Sequence, residues 1–326
     1  MKILVDAILL HLSKTRSVDP ADEEKEVVIT TGAIGAIASS VLCLCSPGEK
    51  VLVPDPCWPA IPSIVNMCNA QAEGYPYRTK DDLDTLDHYI SHVADASAKM
   101  LILINPHNPT GLTLNPEQFV KIFKAIVDKN IFLLCDEVYD NYLPVNYITG
   151  NLKYIHFSYK KVLLIGSTSK RYCTPGLRIG YIYGNKEITQ SISKSNLLLS
   201  GGASPICQAT AAYAYNTDES IAPRYREIVE KRRHYTINAL NKSGFLVNED
   251  CGSIYVFCQI PGFTSNRIVK FCNHALISGV SVTPGNLFGK SSGDCIRISL
   301  SVPLNQLQRA ISILIDVKEK MIRNNE

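Results

Sequence analysis

The chain has little of what marks a membrane, secreted or nucleic-acid-binding protein. Its 326 residues contain no apolar run near the roughly 20 residues that a membrane-spanning helix needs. The opening MKILVDAILLHL is interrupted by Asp6 and His11, and no small-residue cleavage site follows, so it does not read as a secretory leader. Charge of one sign is scarce: 33 lysines and arginines face 30 acidic residues. The net charge of +3 is too small to argue for nucleic acid or an anionic membrane as partner. Internal repeats, low-complexity tracts and linkers are missing, as are the hydrolase, zinc-protease and dinucleotide signatures GxSxG, HExxH and GxGxxG. Cys43 and Cys45 stand one residue too close for a CxxC redox or zinc knuckle, and no second pair accompanies them, so no metal site is expected. The 11 cysteines are odd in number and sit in apolar runs such as VLCLC and IFLLC, which points to free thiols and a cytoplasmic setting.

What is present is an ordinary globular balance, 46% hydrophobic and 19% charged, long enough for a large domain with a smaller one attached. Residues 3–14 carry apolar positions at helical spacing, and 25–30 read as a short strand. Residues 33–44 read as a helix closed by Pro47-Gly48. Short, continuous apolar segments then recur at 50–53 (KVLV), 100–104 (MLILI), 131–135 (IFLLC), 162–165 (VLLI) and 179–183 (IGYIY), with helical stretches such as 116–128 between several of them. Such runs suit parallel strands covered on both faces, so the expected fold is α/β, with a mostly parallel open sheet flanked by helices. A long helix is expected at 221–241, followed by shorter strands at 252–259, 280–283 and 295–300. The expected division is a large domain, 1–228, and a smaller α+β domain, 229–326.

Ligands on open α/β sheets sit beyond the carboxyl ends of the strands, so the residues just after each strand matter most. After the first strand, Thr31-Gly32-Ala33-Ile34 opens a helix, whose free N–H groups and positive dipole end make either an ordinary helix start or an anion cup. After KVLV comes Pro54-Asp55-Pro56-Cys57-Trp58-Pro59, where Trp58, the single tryptophan, is a core residue or a flat face for a ring. After LILI comes Asn105-Pro106-His107-Asn108-Pro109-Thr110-Gly111, in which His107 reads as a loop histidine. After IFLLC, Asp136-Glu137-Val138-Tyr139 places a carboxylate at a strand end as metal ligand, base or charge partner; Glu137 and Asp140 read as structural or solvated. After VLLI come Ser167-Thr168-Ser169-Lys170 and Pro175-Gly176-Leu177-Arg178-Ile179-Gly180-Tyr181. Lys170 is either a surface lysine or, partly desolvated near Arg178, a Schiff-base amine. Further on, Gly285-Asn286-Leu287-Phe288-Gly289 precedes Arg297, a cation inside an otherwise apolar strand that needs a partner, either a structural acid or a ligand carboxylate. Residues 285–291 mimic a phosphate loop but are one residue short and lack its strand–loop–helix frame.

Taken in this order, from about residue 25 to 302, these motifs resemble those of the pyridoxal-phosphate-dependent aminotransferases of class I/II, the fold type I group that includes aspartate aminotransferase. The resemblance implies pyridoxal 5'-phosphate as cofactor and Lys170 as its lysine. It implies a phosphate cup of Gly32, Ala33, Ile34, Ser167, Ser169 and Arg178, with Trp58 against the pyridine ring. Asp136 would pair with the ring nitrogen, while Asn108 and Tyr139 would reach the phenolic oxygen. Arg297 and Asn108 would hold the substrate carboxylate. Catalysis would rest on Lys170, Asp136 and Tyr139, moving an amino group between an amino acid and a 2-oxo acid by a ping-pong route. A homodimer is implied as well. Family members usually carry an amino-terminal arm ahead of the first helix seen here. The expectation is therefore a trimmed relative, a partial gene product or a shortened form with a rebuilt site. A lyase or cyclase of the same fold, or a non-catalytic cofactor-binding protein, would carry the same cofactor residues.

Overall fold

The computed structural model of the protein describes residues 1–93, 98–143, 159–249 and 251–324. Within it the apolar segments form one sheet of seven strands: β1 (Lys25–Thr31), β2 (Lys50–Asp55), β3 (Gln71–Pro76), β4 (Ala98–Ile104), β5 (Phe132–Asp136), β6 (Val162–Ser167) and β7 (Ile179–Asn185). Their spatial order is β1-β7-β6-β5-β4-β2-β3, and the four contacts from β3 through β2, β4 and β5 to β6 are all parallel. Strand β4 shows why the segments are continuously apolar. Leu101 and Leu103 enter the core on one face, while Met100, Ile102 and Ile104 enter the core on the other.

The helices of this part are α1 (Lys2–Arg16), α2 (Gly32–Leu44), α3 (Ala60–Met67), α4 (Lys80–His88), α5 (Pro116–Asp128), the single turn α6 (Thr168–Arg171), α7 (Lys186–Ser200) and α8 (Pro205–Asn216). Leu4, Ile8 and Leu12 of α1, with Phe119, Ile122 and Ile126 of α5, cover the first face. Ala36, Ile37 and Val41 of α2, with Ile61 and Val65 of α3, cover the second. Helix α5 starts where its sequence dictates. Asn115 caps it, Gln118 reaches back to the Asn115 N–H, and Pro116 fills the first turn, where its missing N–H is no loss.

The remaining residues build a second unit. Helices α9 (Asp218–Lys242), α10 (Ser265–Ile277) and α11 (Leu304–Arg323) pack on a four-stranded sheet of order β10-β11-β9-β8, with β8 at Leu246–Val247, β9 at Tyr255–Gln259, β10 at Thr283–Pro284 and β11 at Cys295–Ser299. Arg233 of α9 ties the two units together: its buried guanidinium donates to the carbonyls of Tyr142 and Ser253 at 3.2 and 2.8 Å. Among the described residues no helix is long and apolar enough to cross a membrane.

The expected fold class holds, with local corrections. Strand β7 runs antiparallel to both β6 and β1, because residues 168–178 are too few for a crossover to a parallel strand. The edge strand β3 (QAEGYP) went unread, since it is mostly exposed and contains Gly74 and Pro76. The strand expected at 252–259 begins at Tyr255, and the one expected at 280–283 is only the Thr283–Pro284 pairing with Arg297 and Ile296. Along α9 the core changes: Ala222 joins the first unit's core, while Val229, Ile237 and Leu240 join the second's.

Leu134, fully buried in β5 two residues before Asp136, tests this packing. Leu134→Ala should cost about 2–5 kcal/mol. That loss should appear as a lower urea midpoint at unchanged slope. A shift below about 0.5 kcal/mol, the usual range for surface substitutions, would contradict the assignment of β5 to the sheet centre.

Candidate active site

The carboxyl ends of β4, β5 and β6 lie side by side, so the segments after them meet in one place. A cavity of about 300 Å³ opens there. Its lining includes Ala33, Ile34, Trp58, Asn108, Asp136, Tyr139, Ser167, Ser169, Lys170, Arg178 and Arg297, which are all but one of the site residues expected from sequence. The exception, Gly32, lies just behind. A larger cleft of about 450 Å³ is lined in part by Asp55, Arg78 and Ser291. Its charges already answer one another, since Arg78 pairs with Asp294, and Ser291 donates to Asp55. The chemistry therefore belongs to the smaller cavity.

One end of the cavity is built for an anion. Helix α2 begins at Gly32, and its N-cap residue Thr31 makes no side-chain cap, which leaves the first-turn N–H groups and the positive dipole end available. Gly32 has φ +73°, and a Cβ there would lie 2.5 Å from Nη2 of Arg178. Glycine is what lets the guanidinium reach the helix end. Gly180 serves the same approach from β7, because its Cβ would lie 2.5 Å from the Gly32 carbonyl carbon. Arg178 is anchored by bonds to the carbonyls of Pro175 and Thr31, at 3.2 and 3.4 Å. The hydroxyls of Ser167 and Ser169, both lining the cavity, lie 3.0 Å apart. A guanidinium, a helix amino terminus and hydroxyls form a donor set suited to phosphate.

At the base of the cavity the Asp136 carboxylate is buried, and the Val138 N–H is its only bonded partner among the described residues. Burial pushes its carboxyl up to about 6, with the Val138 bond pulling weakly the other way. A buried acid without a cation is suited to a ligand that brings one. Above it Asn108 Nδ2 lies 3.4 Å from the Tyr139 hydroxyl, and burial raises the Tyr139 phenol well above its ordinary range, so it stays protonated. Lys170 sits on the one-turn helix α6, its Nζ 6.0 Å from the Tyr139 ring centre. Trp58 closes one wall.

The second unit contributes Arg297 from β11. Its Nη1 donates to Asn108 Oδ1 at 3.0 Å, and no carboxylate among the described residues pairs with it. The guanidinium is sandwiched between Tyr255 and Phe288, 4.1 and 4.7 Å from their ring centres. Tyr255 also lines the cavity and was not anticipated. The signal was cross-strand: Phe257 stands opposite Arg297, and Tyr255 lies two residues along on the same face. Ile37, Ile104, Val138 and Pro175 complete the walls, and none of them carries a polar side chain that sequence reasoning could have flagged. His107 is a buried packing residue, edge-on to Tyr77 and bonded through Nδ1 to Thr110; burial drives it down to about 3, hence neutral.

A pocket holding an amine, an unpaired buried acid and an anion cup marks an enzyme suited to a phosphorylated, protonatable ring. The chain belongs to the aminotransferase class I and II family, whose model matches residues 5–314. The family's enzymes use pyridoxal phosphate. The chain is 27% identical over 318 residues to the probable N-acetyl-LL-diaminopimelate aminotransferase of Bacillus subtilis, covering 95% of this chain and 78% of that protein. It is 29% identical over 300 residues to the LL-diaminopimelate aminotransferase of Maridesulfovibrio salexigens, covering 89% and 75%. Its fold matches the solved N-succinyldiaminopimelate aminotransferase of Mycobacterium tuberculosis with a TM-score of 0.86 at 24% identity, over 97% of this chain and 83% of that one.

The isolated acid has a consequence for stability. Folded Asp136 keeps its proton to about pH 6, whereas the ordinary value is 3.8, so the folded chain binds more protons between these values. Asp136 therefore weakens folding as pH rises through that window, by on the order of 3 kcal/mol above it. In the cofactor-free protein, Asp136→Asn should raise the melting temperature near neutral pH, and the gain should vanish as pH falls toward about 4. A variant less stable than the parent at neutral pH would contradict this.

Proposed function

We propose that the chain moves an amino group between an amino acid and a 2-oxo acid, using pyridoxal phosphate anchored on Lys170. The observation that carries this reading is the unpaired, buried Asp136 facing the same cavity as Lys170. When bound, the cofactor supplies an aldehyde for the substrate amine and a ring that accepts electrons. The α2 amino terminus at Gly32, Ala33 and Ile34, with Ser167, Ser169 and Arg178, holds the phosphate. Asp136 would keep the ring nitrogen protonated, Trp58 would offer a flat face to the ring, and Asn108 and Tyr139 would donate to its phenolic oxygen. Arg297 and Asn108 hold the substrate carboxylate, with Tyr255 and Phe288 fixing the plane of the guanidinium. Once displaced from the cofactor by the substrate amine, the Lys170 amine would act as general base toward the substrate Cα proton. With a 2-oxo acid as second substrate, the expected kinetics are ping-pong.

The reading extends to assembly and setting. A homodimer is supported by the contiguous exposed side chains Leu197, Leu198 and Leu199 at the end of α7, with Ile206 and Tyr213 on α8. A cytoplasmic setting is supported by eleven cysteines that form no disulfide among the described residues. The division into 1–228 and 229–326 is supported by the change of hydrophobic core within α9.

Borohydride reduction in the presence of the cofactor, followed by peptide mapping, should place the label on Lys170, and Lys170→Ala should lower kcat by roughly 10⁴-fold or more. A label elsewhere, or near-parental turnover in that variant, would overturn the reading. Ammonia released with an oxo acid, without any acceptor, would assign a lyase instead.

A further inference from the structure

Behind the cavity lies a cluster of charged side chains that the reaction does not use. Arg16, the last residue of α1, is buried, and its Nε and Nη2 both donate to Oε2 of Glu137, at 2.9 and 2.6 Å. The same Nη2 lies 3.2 Å from Oδ2 of Asp140, and Arg171 Nη1 donates to that oxygen at 3.0 Å. His11 Nε2 stands 3.9 Å away from it. Two guanidinium groups thus face two carboxylates beneath the site.

The placement of this cluster along the chain is specific. Glu137 follows Asp136, Asp140 follows Tyr139, and Arg171 follows Lys170. Asp136, Tyr139 and Lys170 are therefore each the chain neighbour of a cluster member. The local backbone has little else to hold it. Helix α6 is one turn long, and the segment after β5 is a turn leading into three residues of 3-10 helix. Tyr142 adds one further clamp, donating its hydroxyl to the Lys170 carbonyl at 2.7 Å. A buried ionic cluster adds little net stability, because desolvation offsets the attraction, and well-packed apolar replacements are often as stable. Its effect here is to fix where backbones stand.

We propose that Arg16, Glu137, Asp140 and Arg171 are positioning residues, a buried charge network that locks the segments carrying Asp136, Tyr139 and Lys170 to one another and to helix α1. The catalytic consequence rests on the roles proposed above for those three residues; the positional one does not.

The test uses Arg16→Met/Glu137→Leu, which removes a whole pair and leaves no lone charge from it, beside the milder Arg16→Lys, which keeps the charge but loses the fork. Melting temperature, amide hydrogen exchange of the cofactor-free chain, and steady-state kinetics with the absorption band of the bound cofactor are measured on each. The expected result for the paired variant is a melting temperature within a few degrees of the parent and faster exchange confined to residues 136–142 and 168–171. With it should come kcat lower by roughly 10- to 100-fold, KM little changed, and a shifted titration of the band. Arg16→Lys should fall between the two. Parental exchange in both segments overturns the network, and parental kcat in a variant whose segments have loosened overturns its catalytic consequence. Should the paired variant not fold, the same readouts on Arg16→Lys decide, and parental behaviour there overturns the proposal. Faster local exchange in the paired variant, beside a parent chain that takes up no cofactor, would keep the positional claim and sink the functional one.

Discussion

The structure turns on one carboxylate buried without a cation. Asp136 ends the central strand β5, flanked by β4 and β6, with both faces of the sheet covered by helices. It is buried, and a single backbone N–H is its bonded partner among the described residues. Folding tolerates such a group only by holding its proton to higher pH or by receiving a cation from elsewhere. A protonated ring nitrogen is such a cation. The unmet need of the folded chain is thus the same feature that recommends the ligand, a familiar exchange of stability for function.

The other groups take their places from that strand end. The backbone approach of Gly180 to Gly32 brings α2 and Arg178 together at one end of the cavity. Arg297 enters from the second unit, and its bond to Asn108 joins the two units across the cavity mouth. Arg233 joins them again from below. The groups that would hold the ring come from one unit, while the carboxylate clamp pairs Asn108 of that unit with Arg297 of the other.

Much of this was legible in the sequence where burial is two-sided. Strands β2, β4, β5 and β6 are continuously apolar because helices cover both faces, and their ends told where to look for Asp136, Asn108 and Lys170. Strand β3 was not legible, because an edge strand with Gly74 and Pro76 has no such pattern. The direction of β7 was hidden for another reason: an apolar run carries no sign of its orientation, and only the short connection from β6 decides it. Glu137 and Asp140 read as structural or solvated; they are structural, and their partner Arg16 lies 121 residues from Glu137, a pairing no local spacing reveals. Tyr255 escaped because its part depends on the register of β9 against β11.

The most direct measurement of the central claim is a crystal structure of the protein grown with pyridoxal phosphate. The account requires continuous density from Lys170 Nζ to the cofactor, the ring nitrogen within hydrogen-bond distance of Asp136, and the phosphate between Arg178 and the first turn of α2. A cofactor bound elsewhere, or one whose ring nitrogen points away from Asp136, would contradict it.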